Sequence, residues 1–309
     1  MHTFETPGPL TIEIHNHAGE IRLELTDTTT TTVEFSVAGD PPVPWLQELW
    51  GTFGGPGRAP FDAPSIDRAI ADFSPAADGG GSGGRLFIDT RPAVAGWRRR
   101  IDVRVTAPRL SEARLHGQAT DVRIAGPVGP LTVHTASGDV TADECSADAR
   151  LTMASGDVVL GSVAGNASLR SVSGDVRIGT VAGRAEVQST SGDVRIGSVG
   201  GDATVRTVSG DVTIAEARSG AVRIATVSGG VDIGLRNGAL ASVGLSSMSG
   251  RVHSDLAVET NRPAAPASNE PGAAQRRTDV DIRVKTVSGD IRIRRANHSG
   301  GAPAAPPAP

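Results

Sequence analysis

The sequence contains no tyrosine and a single cysteine, Cys145. One cysteine excludes an intramolecular disulfide and a cysteine-based metal cluster. Aromatic residues make up 3% of the 309 residues, and none of them follows Trp97. Any core built after Trp97 must therefore consist of aliphatic side chains, and this change in composition marks a boundary in the chain.

An excess of charge of one sign is also lacking. The formal net charge is -4, from 30 Lys and Arg against 34 Asp and Glu that are mixed along the chain. This balance argues against a nucleic-acid-binding protein, which needs a basic face to neutralise phosphates. No apolar run approaches the ~18 residues of a membrane span. The first residues also lack the basic and apolar regions of a signal peptide, so we expect a cytoplasmic protein.

What the chain does contain is a repeat of 18 residues. The triplet Ser-Gly-Asp, or a degenerate form of it, begins at Ser137, Ser155, Ser173, Ser191, Ser209, Ser228, Ser249 and Ser288. The first five copies follow one another at a constant spacing, which predicts a repeat architecture rather than a globular core.

Each repeat contains two segments that alternate apolar and polar residues. In the repeat that starts at Ser191, alternation places Val194 and Ile196 on one face of a strand and Arg195 on the other. The glycines of segment 197–201 supply corners with positive φ. We therefore expect a coil of two clear strands, with a short third strand around Val199.

One coil alone cannot bury enough apolar surface to offset the entropy of ordering it, so coils must stack. The constant register predicts parallel pairing, with Val194 between Val176 and Val212 at a spacing of ~4.8 Å. The predicted fold is all-β, a parallel β-solenoid (β-helix) with 18-residue rungs. A left-handed hexapeptide helix is the alternative, although the sequence does not keep an aliphatic residue every six positions.

Three regions follow from the pattern along the chain. Residues 1–110 are predicted to be a degenerate N-terminal β region, in which 10–38 is either an eroded start of the solenoid or a small β-sandwich. Residues 111–296 are the solenoid repeats, interrupted by a disordered loop at about 255–278 that is rich in proline. Residues 297–309 are predicted to be a disordered tail.

A short helical insertion is predicted at about 41–84. Its first helix places five large apolar residues on one face, namely Trp45, Leu46, Leu49, Trp50 and Phe53. Its second helix is predicted from the spacing of Ile66, Ala69, Ile70 and Phe73. We interpret the first helix as a cap over an end of the solenoid, with a docking surface for a partner or a membrane as the alternative.

The repeated S-G-D-V-x-I and A-x-V-x-T-V segments, after an N-terminal I-x-N-x-x-G-x-I motif, resemble a bacterial family of β-strand repeats. Proteins of this family carry the label "putative adhesin", and their function is unknown. The resemblance covers 111–294 well, and 10–38 and 85–110 more weakly. It implies a parallel β-solenoid and no defined catalytic residues.

A column of aspartates is the most regular polar feature of the repeats. Its members are Asp121, Asp139, Asp157, Asp175, Asp193, Asp211 and Asp290. Stacked carboxylates could bind calcium. The alternative is that each aspartate caps its own Ser-Gly turn. Calcium-binding β-rolls carry an aspartate every ~9 residues, so turn capping is preferred here.

Other candidate sites have weaker patterns. His15 and His17 share a strand face, as a metal pair would, but no third ligand is evident. Gly80–Gly84 matches G-x-S-x-G and Gly79–Gly84 matches G-x-G-x-x-G, both within a glycine run that lacks the strand-turn-helix context. Two outward columns of arginine could bind an acidic glycan or pair with aspartates, and they comprise Arg123, Arg177, Arg195 and Arg292, and Arg170 and Arg206.

The sequence therefore predicts a non-catalytic scaffold or interaction module with no cofactor and no metal. Its expected partner is another protein or a second copy of itself, with a glycan as the weaker expectation. The alternative function is a carbohydrate-binding or carbohydrate-cleaving β-helix. Such proteins use aromatic platforms in a groove, which the chain lacks after Trp97.

Overall fold

The structure is a computed structural model that describes residues 2–38, 70–74, 84–90, 100–256 and 279–296. Every regular element in these residues is a β-strand, and the 23 strands belong to one continuous sheet. Within the same residues, no helix is long and apolar enough to cross a membrane.

The strands cover most of the described chain. The N-terminal strands are β1 (His2–Glu5), β2 (Thr11–Thr26), β3 (Thr30–Ala38), β4 (Ile70–Ser74), β5 (Arg85–Asp89), β6 (Arg100–Pro108) and β7 (Glu112–Val128). The next strands are β8 (Leu131–Ser137), β9 (Val140–Cys145), β10 (Ala149–Ser155), β11 (Val158–Val163), β12 (Ala167–Ser173), β13 (Val176–Val181), β14 (Ala185–Ser191), β15 (Val194–Val199), β16 (Ala203–Ser209) and β17 (Val212–Ala217). The last are β18 (Gly220–Ser228), β19 (Val231–Leu235), β20 (Ala241–Ser249), β21 (Val252–Ser254), β22 (Val280–Ser288) and β23 (Ile291–Arg295).

Consecutive coils stack in parallel with a constant register. Val194 pairs with Val176 on one side and with Val212 on the other, as the repeat predicts. Alternation along each strand places Val194 and Ile196 in the interior, where they are 0% and 1% exposed. The core is therefore a set of aliphatic columns that run the length of the solenoid, and the predicted parallel β-solenoid is confirmed.

The predicted short third strand around Val199 is wrong. Val199 is the last residue of β15, and the strand bends at Gly197, where the pairing with Gly179 is skipped. A Cβ atom on Gly197 would lie 2.3 Å from the carbonyl oxygen of Gly179. Only glycine allows this close approach, so the backbone turns within one strand and still points Val199 into the core.

The Ser-Gly-Asp corners require glycine for two reasons. Gly192 has a φ of 110°, a region that side chains with a Cβ rarely adopt. A Cβ on Gly192 would also lie 2.2 Å from the carbonyl oxygen of Gly174 in the adjacent coil. The same contact recurs from coil to coil, so the corner glycines form a column with no room for side chains.

The N-terminal region continues the solenoid. Strand β2 makes a full coil that pairs in parallel with β7 on one side and with β5 and β6 on the other. The interpretation of 10–38 as the start of the solenoid is therefore confirmed for β2, and the small sandwich is not observed. Strand β3, in contrast, pairs antiparallel with β6, and β1 pairs antiparallel with β3.

The second predicted helix of the insertion is wrong where the structure describes it. Residues Ile70–Ser74 form β4, which pairs antiparallel with β5. The edge of β5 offers unpaired backbone groups, and a strand satisfies them while a helix cannot. Tertiary pairing thus overrides the helical spacing of Ile70 and Phe73. Residues 41–69, including Ile66 and Ala69, lie outside the described residues.

The spatial order of the coils departs from chain order at the C-terminal end. Strand β18 pairs with β22, and β22 pairs with β20 on its other side. In the same way β23 lies between β19 and β21. The coil of residues 241–254 is therefore outermost. The coil of residues 279–296, which is last in the sequence, lies between it and the coil of β18 and β19.

Candidate interaction surfaces

The aspartate column holds successive coils together. The backbone N–H of Asp193 donates to Oδ1 of Asp175 at 3.0 Å, and the N–H of Asp211 donates to Oδ1 of Asp193 at 3.0 Å. Each carboxylate therefore caps the corner of the next coil, and the prediction that it caps its own turn is wrong. Within the described residues, no group of three or more His, Cys, Asp or Glu side chains is placed to hold a metal ion.

Arginine side chains on the strands that follow the corners form ion pairs with these aspartates. Nη2 of Arg177 lies 2.7 Å from Asp175, and Nη2 of Arg195 lies 2.7 Å from Asp193. Arg123 pairs with Glu20 of β2. Arg177 and Arg195 thus pair with aspartates, as the pairing alternative predicts, whereas the partner of Arg123 is a glutamate.

The second predicted arginine column lies on the other face. Arg170 and Arg206 are exposed and separated by Gln188 of the intervening coil. Their charges are therefore two coils apart, so this column is a dilute cationic surface rather than a continuous one.

The structure places His15 in a different group from the one predicted. Its imidazole lies 4.7 Å from that of His116, and the ring of His116 lies 5.2 Å from that of His134. Nε2 of His15 also lies 3.1 Å from Glu13. Within the described residues, His17 is not part of this group. His116 and His134, which the prediction missed, are 18 residues apart and occupy equivalent positions in adjacent coils. The repeat spacing could therefore have identified this pair.

This histidine column has one electrostatic consequence. Burial lowers the pKa of His116, and the neighbouring His15 and His134 lower it further, against a smaller effect of Glu13. The neutral imidazole is favoured because a charge would be partly desolvated and would face two like groups.

A row of exposed side chains, most of them apolar, precedes the Ser-Gly corner in each of the eight coils from β8 onward. We name it the corner row, and it consists in spatial order of Ala136, Ala154, Val172, Thr190, Val208, Val227, Val287 and Met248. Val172 and Val208 are 52% and 50% exposed, and Met248 is 84% exposed. The next residue along the chain is serine in each of these eight coils. An apolar surface that repeats along a rim of hydroxyl groups is typical of an interaction site.

The corner row ends at an uncovered end of the solenoid, formed by β20 and β21, which we name the open end. Val243 and Val252 point toward the core by register, yet they are 39% and 50% exposed. Their partners in the coil below, Ile282 and Ile291, are 0% exposed. Within the described residues, the last layer of the core therefore has no cover.

The opposite end, which we name the capped end, is closed by antiparallel strands. There β1 and β3 continue one side of the solenoid, and β4 continues the other. The ring of Phe4 on β1 stacks on the ring of Phe73 on β4 with centroids 5.4 Å apart. This aromatic pair joins the two sides across the end of the core.

Some predicted site residues lie outside the described residues. They include the whole set proposed as a cap or docking face, Trp45, Leu46, Leu49, Trp50 and Phe53, which stays a prediction. The glycine run is described only at Gly84, whose φ is 105°. A Cβ there would lie 2.9 Å from the Phe73 ring, so this glycine makes room for the aromatic pair.

Comparisons with known proteins give structural neighbours and one family. No curated protein matches the sequence. A solved structure described as a "putative adhesin" from Bacteroides fragilis NCTC 9343 is similar at 15% identity and a TM-score of 0.40, covering 94% of this chain and 95% of that one. A "putative cell adhesion protein" from Clostridium sporogenes ATCC 15579 is similar at 10% identity and a TM-score of 0.27, covering 95% and 98%.

The family comparison is more specific than these structural similarities. The model of the Toastrack DUF4097 family matches residues 99–182 and 129–294, which together span more than half of the chain. Both segments include coils that carry the Ser-Gly-Asp corners. The chain therefore belongs to the Toastrack DUF4097 family.

Proposed function

We propose that the protein is a non-catalytic, adhesin-like scaffold that binds a partner protein along the corner row. The exposed valines of the row carry this proposal. Complete burial of a valine contributes at least ~1.5 kcal/mol, and these side chains are about half exposed, so each retains a useful part of that free energy for binding.

The shape of the row favours an elongated partner. Coils rise by ~4.8 Å, so the eight positions span roughly 34 Å along the solenoid. An extended strand or an amphipathic helix offers apolar side chains at a comparable scale. The serine rim can hydrogen-bond to the backbone or polar side chains of such a partner.

The proposal of a non-catalytic role rests on what the regular polar residues do. The aspartates of the corners accept N–H groups of the next coil, and several arginines pair with them. Groups engaged in this way hold the solenoid together. A protein partner also fits better than a glycan, because glycan platforms use aromatic rings and the chain has none after Trp97.

Site-specific photo-crosslinking in cells of the native host tests the proposal. A photo-crosslinking amino acid at position 208 or 227 should form a discrete adduct with one protein. The matched control uses positions 164 and 182, where exposed alanines occupy the opposite corner of the coil. These positions should give no such adduct.

A second substitution makes the test specific. V172K should weaken the adduct formed from position 208 at least tenfold, because a lysine would place a charge in the apolar contact. The thermal melt of V172K should stay close to that of the wild type, since the side chain is 52% exposed. Equal adducts from both corners, or none from either, would contradict the proposal.

A further inference from the structure

Among the residues that the structure describes, the open end has the features of an unprotected sheet edge. Strand β20 contains no charged residue and no proline over Ala241–Ser249. Natural edge strands are normally protected by charges, by proline or by a covering element, because their free N–H and C=O groups can pair with another chain. At the capped end, by contrast, β1 contains Glu5 and β4 contains Asp72.

The threading of the chain puts this strand at the edge. If the coils stacked in chain order, the outermost strand would be β22, which carries Asp281, Arg283 and Lys285. The exchange of the last two coils covers this charged strand with the uncharged β20. The fold therefore exposes the strand that is best suited to pair with another.

We propose that the open end is the interface of a symmetric dimer of this chain, independently of the partner that binds the corner row. A two-fold axis perpendicular to the solenoid places β20 antiparallel to β20 of a second copy, and β21 antiparallel to its counterpart. The interface is then self-complementary, as in most homodimers. Val243 and Leu245 of each copy continue the aliphatic core of the other.

Charge favours a second copy over an unrelated edge strand. The paired β20 strands bring no charged side chain into the interface, so no charge is buried without a partner. On the other side, Arg251 and Asp255 flank β21. An antiparallel register centred on His253 places Arg251 of one copy opposite Asp255 of the other, which is a complementary pair.

The size of the end predicts a weak dimer. Strand β20 has nine residues, and an extended strand of that length is roughly 30 Å long, with facing sheets about 10 Å apart. Including side chains, each copy would bury on the order of 500 Å², which places the dimer at the lower limit of specific interfaces. We expect association in the micromolar range.

Sedimentation velocity of the full chain over a series of concentrations tests the proposal. The wild type should change from monomer to dimer as its concentration rises. V243K should raise the dissociation constant at least tenfold, because it places a charge on the shared core layer. V159K is the matched control, since Val159 is 38% exposed against 39% for Val243 but lies on the outer face of a central coil. It should dimerise like the wild type.

A deletion keeps the test decisive even if V243K folds poorly. The N–H of Asp279 donates to the carbonyl of Leu240 at 2.8 Å, so removing 241–278 and joining these residues needs little rearrangement. In the shortened protein the charged β22 becomes the outermost strand of the solenoid, so this variant should stay monomeric. A wild type that remains monomeric, a V243K that dimerises normally, a deletion variant that still dimerises, or an assembly that grows beyond two copies would overturn the proposal. Loss of corner-row crosslinks alone would contradict the proposed function and leave the dimer intact.

Discussion

The two ends of the solenoid differ in how they treat the exposed strand edges and aliphatic core of a terminal coil. At the capped end the chain reverses direction, so antiparallel strands and the Phe4–Phe73 pair close the core. At the open end all strands stay parallel and the last aliphatic layer is exposed. The difference shows that a repeat does not end by itself. It needs residues that depart from the repeat, and only one end has them among the described residues.

Ion pairs join the coils next to the capped end. Around the capped end, Glu13 pairs with Arg85, and Glu20 pairs with Arg22 and Arg123. Burial acts to raise the pKa of Glu20, but its two arginines outweigh burial, and the pKa lies below the usual value of 4.5. These ionised pairs tie β2 to the coils on either side of it, in addition to the backbone ladder.

The largest expected difference between the ends concerns two corner glycines. A Cβ on Gly19 would lie 2.2 Å from the carbonyl oxygen of Ile101, and one on Gly250 would lie 2.1 Å from that of Gly289. Both residues have positive φ. G19A should lower the free energy of unfolding by about 4 kcal/mol, from backbone strain and overpacking together. G250A should lower it by about 1 kcal/mol, because the outermost coil can move away from the clash.

Chemical denaturation measures both values, at concentrations where the chain is monomeric. The local geometry is nearly the same at the two sites, so each variant serves as the control of the other. Equal losses would show that the outermost coil of the open end is held as firmly as the coils of the capped end.

The second comparison removes the apolar contacts that distinguish the ends. Replacing both Phe4 and Phe73 by alanine should lower the free energy of unfolding by about 3 kcal/mol, since loss of one fully buried phenylalanine costs at least that much and these rings are half-buried. Replacing both Val243 and Val252 by alanine should cost less than about 1 kcal/mol, because these side chains are already 39% and 50% exposed.

Denaturant midpoints of the two double variants give the comparison. A far-UV spectrum like that of the wild type would show that the solenoid persists in each. If the valine pair proved as costly as the phenylalanine pair, the last layer of the open end would have to be buried in solution.

The sequence predicted which core residues of neighbouring coils pair, although it did not predict that each corner aspartate caps the next coil. The spacing of the Ser-Gly-Asp corners was enough to predict that Val194 lies between Val176 and Val212. The same spacing also places His116 beside His134, although the metal-pair prediction considered only His15 and His17 on one strand. The 18-residue spacing alone is thus enough to predict most of the fold.

Contacts between non-equivalent positions were not predictable in this way. The helical spacing around Phe73 gave no sign that this segment completes an edge beside β5. The exchange of the last two coils was also hidden, because 241–254 and 279–296 fit the same positions of the repeat and only backbone pairing distinguishes them. Both failures lie at the ends, where the repeat stops determining the neighbours.

The smallest expected difference is a pH dependence confined to one end. His116 lies in β7, beside β2, and its folded-state pKa is below the usual 6.5, first because of burial and then because of His15 and His134. Protonation is therefore less favourable in the folded chain than in the unfolded one. The resulting stabilisation is complete above pH 6.5 and is lost as the pH falls from there through the folded pKa. The glutamates of this end have lowered pKa values from a base of 4.5, so their contribution is lost only at more acidic pH.

Unfolding free energies between pH 7 and pH 5 should therefore fall in the wild type and fall less in H116Q, whose side chain stays neutral. H253Q is the control at the open end, because the side chain of His253 is 67% exposed and pairs with Asp255. It should leave the acid-induced loss as it is in the wild type, since His253 lies at the opposite end of the solenoid from the stacked histidines. A loss that persists undiminished in H116Q, or that H253Q abolishes, would show that the acid-sensitive contacts are not those of the stacked histidines. The capped end would then be distinguished from the open end by its strand directions and its aromatic pair alone.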